Sequence, residues 1–347
     1  MSAVRRHGSV VPPFPDARGT AVHDLGRGRL VEGLPNGRPQ RVLHLDVTDA
    51  PATAVGRLLV GSYITGQDQI VLSARGGLSV DQRREIHRTL DTLLGSSIVD
   101  DRATSIEVQN FLDPSRYEMP RLLHRAVELL QYELTDCLAA LADGTLPSLD
   151  RLDASEAEVD RLYLLMARQL LLSSEDPRIA RDVDAGSHHY QVGYRLVAKA
   201  LEMTGDLVYG IGVELRSNLP GLRRLPEALP EELGLRLRRL REILSRTMDA
   251  FTAVSILEAD ATLNRIVEAL RYDTCLAPRI ARADAPPSVA VAAQRIALNL
   301  TMALEMLGVV NEVTLNRSVE PKPSRSGSSD VSVVAGPPTR GHATLAR

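Results

Sequence analysis

ALEMTG, Ala200 to Gly205, returns almost unchanged as ALEMLG, Ala303 to Gly308, with Glu305 lying 103 positions after Glu202. A second pair of segments repeats at nearly the same distance. EAEVDRL begins at Glu156 and DATLNRI at Asp260, 104 positions later. Two independent matches at one period are the mark of a duplicated supersecondary unit. Both segments sit in runs with apolar residues every three to four positions, so the unit is helical.

Upstream of the first repeat, Met119, Leu122, Val127, Leu130, Leu134, Leu138 and Leu141 form one apolar stripe, stopped by Gly144. A second helix is expected from Ser155 as N-cap to Ser173, before Pro177, and a third from Ser187 to Ser217. After NLPGLRRLPEALP a fourth begins near Glu231, a fifth surrounds Asn264, and a sixth fills Ser288 to Leu315. The fold class is therefore mainly α: tandem three-helix bundles over residues 112–220 and 228–316.

Residues 40–111 change period over short distances, as a small α+β domain does. RVLHLDV, QIVLSA, SIVDD and SIEVQNF read as strands. ATAVGRLLVGSYI reads as a helix, and so does the stretch from Ser79 to Gly95. Residues 1–36 and 317–347 are rich in Gly, Pro and Ser without a sustained period, which predicts a flexible arm and a disordered tail.

Composition narrows the function. The chain has no Trp, three Phe and a formal charge of −3, from 41 Lys and Arg against 44 Asp and Glu. Nothing in this balance provides the basic footprint of a nucleic-acid binder. Cys137 and Cys275 stand apart without metal-type spacing, no apolar run predicts membrane insertion, and no signal-peptide core opens the chain. The expectation is a cytoplasmic protein. No nucleophile–base arrangement and no phosphate loop occurs, so no enzyme is expected. His188 and His189, adjacent at a helix start, read as surface or capping residues, and Gly205, Gly210 and Gly212 as points of close packing.

Carboxylates are the distinctive chemistry. Glu156 and Asp160 are four apart, as are Glu202 and Asp206, so each pair shares a helix face. Two such helices side by side bring four carboxylates together, an oxygen-rich set of the kind that holds metals in bundle cores. The same spacing suits a solvated ion-pair ladder of Arg195, Lys199, Glu202 and Asp206. In the second copy Asp260 and Glu305 remain, while Asn264 and Val309 replace their partners, which predicts loss of the site there.

The duplicated bundle, VDRLYLLMARQL and YRLVAKALEMTGD together resemble the PhoU family of phosphate-uptake regulators over about residues 40–316. LSVDQRREIHRTLDTLLGSSIVDD leading into IEVQNFLDP is similar to the segment preceding the bundles in archaeal-type members. The resemblance implies a non-catalytic regulator whose ExxxD motifs hold iron or zinc, with Glu156, Asp160, Glu202 and Asp206 as ligands and Asp260 and Glu305 as remnants. It implies the phosphate ABC transporter ATPase and a sensor histidine kinase as partners, while the α+β unit, ending in short strands, suits pairing across a homodimer. An AbrB-like hairpin module, which would make a DNA-binding transcription regulator the alternative, is not recognisable in residues 1–36. Gly210 also departs from the family, which carries an Asn there. A metal-storing or metal-sensing bundle is the other alternative.

Overall fold

The computed structural model describes residues 21–24, 28–33, 40–226, 228–273 and 276–320. The rest of the expected arm and tail, and Cys275, lie outside the described residues. Within the arm, strands β1 (Ala21–Asp24) and β2 (Gly28–Gly33) correct the expectation of a structureless segment. They pair antiparallel with each other, and β2 pairs antiparallel with β3 (Gln40–Asp46). Backbone pairing supplies the order that the residue pattern of this stretch did not signal.

The remaining strands are β4 (Gln69–Ser73), β5 (Ser96–Asp101) and β6 (Ser105–Asn110), in the sheet order β1-β2-β3-β4-β6-β5. Among the described strands only β3 and β4 run parallel, which requires a crossover. Helix α1 (Ala52–Ile64) supplies it. Alternation buries Leu43, Leu45, Ile70, Leu72, Ile106 and Val108 against α1 and α2 (Val80–Leu90). Ser79 and Gln82 form a reciprocal capping box on α2, and the Gln82 amide also donates to the Val47 and Ala50 carbonyls.

The helical part contains α3 (Met119–Asp143), α4 (Leu149–Glu175), α6 (His188–Leu222), α7 (Leu229–Ala253), α8 (Ile256–Asp273) and α10 (Pro287–Val319). Short helices α5 (Pro177–Asp182) and α9 (Leu276–Arg282) occupy the same place in each copy, so the duplicated unit is larger than three helices. Helix α4 starts at Leu149, after Ser148, and not at Ser155. No Gly or Pro interrupts LDRLDASEAEVDRL, so the first turn forms early and Ser155 lies inside the helix.

Helices α6 and α10 run antiparallel in direct contact. A Cβ on Gly193 would meet Val313, Asn299 donates to the Leu207 carbonyl at 3.2 Å, Arg295 pairs with Glu214 at 2.8 Å, and a Cβ on Gly221 would meet Val289. The equivalent helices α3 and α7 also run antiparallel: Gln131 donates to the Arg241 carbonyl at 3.0 Å and Arg241 to Thr135 at 3.3 Å. Equivalent helices meeting head to tail give the two copies a pseudo-twofold relation. Their apolar faces merge into one core running from Met119 to Val313. Helix α10 carries an 18-residue window of mean hydropathy 1.4, long and apolar enough by composition to cross a membrane. This departs from the sequence expectation, and its apolar character matches its packing against α6, α7 and α8.

The α+β unit is fastened to the helices by Arg168 of α4, which is 1% exposed. Its Nη1 donates to the carbonyls of Tyr63 and Gln67 at 2.6 and 2.9 Å, Nη2 reaches Asp68 at 3.3 Å, and the guanidinium lies 5.1 Å from the Tyr63 ring. Removing it strands buried carbonyls and a carboxylate. Arg168→Ala is expected to cost about 3 kcal/mol or more, read as a lower urea midpoint or a separate early transition for the α+β unit. An unchanged unfolding curve contradicts this role.

Candidate metal centre

Helices α4 and α6 come close because glycine lies between them. A Cβ on Gly205 would approach Val159 to 3.2 Å, and one on Gly212 would approach Leu152 to 2.8 Å. Gly210 faces the other way, toward Asn299 of α10 at 2.7 Å from its would-be Cβ. The three glycines thus permit close packing on two sides of α6, as their sequence positions predict.

At this contact Glu156 and Asp160 of α4 meet Asp206 of α6, with one oxygen from each within 4.8 Å of the others. Glu156 and Asp160 are half-buried, and Asp206 is exposed. Glu202, the fourth expected ligand, is held differently. Lys199 donates to both of its oxygens, the closer geometry being that of a tight ion pair, with Oε1 at 2.6 Å. Lys199 and Arg195 both lie 5.0 Å from the Tyr163 ring centre. Part of the ion-pair ladder therefore exists beside the cluster: Lys199 clamps Glu202, and Arg195 stacks on Tyr163.

The electrostatics follow from crowding. Burial pushes the Asp160 carboxyl up from the ordinary 3.8 to about 6, with added repulsion from Glu156, Glu202 and Asp206, opposed by Lys199. Glu156 is raised by burial and then by the charges of Asp206, Asp153 and Glu202. Asp206 is raised by burial and Glu202. Four carboxylates against one ammonium leave an excess of negative charge.

Two acidic residues escaped the spacing argument. Glu133 of α3 is 3% exposed, and burial pushes it up to about 7, with Glu156 and Asp136 adding and the Ser155 hydroxyl opposing. An acid inside the Leu130–Leu134–Cys137 stripe was the available signal. Asp153 accepts a hydrogen bond from the Tyr209 hydroxyl at 2.9 Å. Cys137 is a buried free thiol, and burial raises its pKa. His188 and His189 are exposed behind the Ser187 cap.

In the second copy Asp260 is exposed and accepts from Asn264 at 3.3 Å, while Glu305 is exposed and Val309 offers no ligand. Among the described residues no comparable grouping of acids forms there. No family model matches the chain, and no curated protein or solved structure matches it.

Because the folded pKa of Asp160 lies above its unfolded value, the folded state holds the proton more tightly. Its contribution to stability is complete below about pH 4 and lost as pH rises through about 6. In chelator, Asp160→Asn is expected to stabilise the chain at pH 7 by about 1 kcal/mol, discounted for solvent screening. At pH 4 the gain is expected to vanish. Equal effects at both pH values, read by thermal unfolding, contradict the crowding account.

Proposed function

We propose that this protein is a non-catalytic regulator of phosphate uptake or phosphate-responsive signalling, acting through protein partners and carrying a carboxylate metal site in its first copy. The observation that carries the reading is the convergence of Glu156, Asp160 and Asp206 from α4 and α6 of a duplicated helical unit. Three of the four ligands that the PhoU resemblance implies meet there, and the replacements at Asn264 and Val309 fit a single site in the first copy.

The donor set fits a metal. Three carboxylates face one another with raised pKa values, so a cation relieves repulsion that the apo cluster suffers. All-oxygen donors suit iron or manganese better than zinc, whose structural sites favour nitrogen and sulfur. Glu156, Asp160 and Asp206 would hold the ion, and Glu202 joins only if Lys199 releases it. A bound cation then ties α4 to α6 and fixes the face that the first copy offers to a partner. The partners in this reading are the phosphate ABC transporter ATPase and a sensor histidine kinase, met by a cytoplasmic homodimer.

Affinity purification of the full chain with metal analysis of the same sample tests both halves. Recovery of transporter or kinase components is expected, together with iron or manganese that Asp160→Asn/Asp206→Asn removes. Absence of both partners, with unchanged phosphate-responsive expression after deletion, overturns the regulatory reading. Metal content unaltered by the double substitution overturns the site.

A further inference from the structure

A second unusual arrangement lies near the start of α6, about 18 Å along the helix from Asp206 to Tyr194 at 1.5 Å per residue. A cavity of about 420 Å³ opens where α3, the turn before α6, α7 and α10 meet, so both copies line it. Its volume falls within the range of small-molecule sites.

Arg317 of α10 lines this cavity and is 8% exposed. Its guanidinium sits among three rings, 4.7 Å from Tyr190, 5.2 Å from Tyr194 and 4.3 Å from Phe251. Nη1 donates to the Phe251 carbonyl at 3.2 Å, while Nε is buried with no hydrogen-bond partner among the described residues. No described carboxylate forms an ion pair with it. Ring faces offset part of the cost of burying a cation. They do not supply the acceptor that a buried guanidinium N–H requires. An anionic group entering the cavity supplies the counter-charge that the rings do not, through a charge-assisted contact with the guanidinium.

The remaining lining sets the rest of the ligand. Leu123, Val127 and Met248 are buried and apolar, and accept a hydrocarbon body. Asp184 and Asp249 are exposed members of the same lining, with His124, whose Nε2 already lies 3.3 Å from Glu128. Two carboxylates at the mouth repel polyanions such as nucleotides and attract an ammonium. We infer that the cavity between the copies binds a small zwitterion of the α-amino-acid class, its carboxylate on Arg317, its ammonium toward Asp184 and Asp249, and an apolar side chain between them. This inference stands apart from the metal site and the phosphate reading.

The test is calorimetric titration of the full chain with leucine and phenylalanine, and then with N-acetyl-leucine, leucinamide and inorganic phosphate. At least one of the two amino acids is expected to bind, and each blocked derivative to bind about tenfold more weakly, as loss of one charged contact implies. Arg317→Met is expected to lose binding by a similar factor or more. Asp184→Asn/Asp249→Asn is expected to weaken the amino acid but not N-acetyl-leucine. These aspartates are exposed and Asn tolerates the left-handed backbone of Asp184, so this pair keeps the test decisive if Arg317→Met does not fold. No binding of either amino acid at millimolar concentration overturns the inference. So does binding that both sets of substitutions leave unchanged, or a preference for phosphate over the amino acids.

Discussion

The antiparallel contact between α6 and α10 is the constraint on which the helical body depends. These are the equivalent last helices of the two copies, and α6 presents glycines where α10 approaches. Gly193, Gly210 and Gly221 let α10 side chains reach the α6 backbone, at a helix-propensity cost of roughly 1 kcal/mol each. Packing one helix of each copy against its own equivalent joins two apolar faces that neither copy buries alone. It produces one continuous core where the sequence reads as two bundles.

That pairing also explains the division of labour along α6. One side of the helix meets α4 through Gly205 and Gly212, which brings Asp206 to Glu156 and Asp160. Another side meets α10 and, near the start of α6, closes Tyr190 and Tyr194 around Arg317. The first arrangement is an excess of negative charge open to solvent. The second is a single positive charge enclosed by rings. Opposite electrostatic problems on one helix call for different ligands, and each is partly offset by a local device: Lys199 beside Glu202, and the ring faces around Arg317.

Much of the carboxylate site was legible because i, i+4 spacing fixes which side chains share a helix face whatever the helix packs against. Glu156, Asp160 and Asp206 follow from that rule. Glu202 obeys the same rule yet lies clamped, because Lys199, three residues earlier, competes for it at a distance no metal has to be found for. Glu133 was missed since its contribution comes from a third helix, and spacing within one helix carries no information about neighbours. Strands β1 and β2 were missed for a related reason: their order comes from pairing with β3, not from local alternation.

The helical class, the duplication, the α+β unit and the replaced carboxylates of the second copy are legible from the chain alone, since each is written in local period or in residue identity. The shared core of the two copies, the lock of Arg168 between sheet and α4, and the burial of Arg317 among three rings emerge from packing in three dimensions. Those features join residues about 100 or more positions apart in Arg168's case and 66 in that of Arg317 and Phe251. Such contacts are selected by the packing of whole helix faces, which no local window of sequence specifies. ALEMTG and ALEMLG thus occupy equivalent turns of paired helices, and the residue that follows, Asp206 in one and Val309 in the other, acquires its chemical meaning only from what stands across the interface.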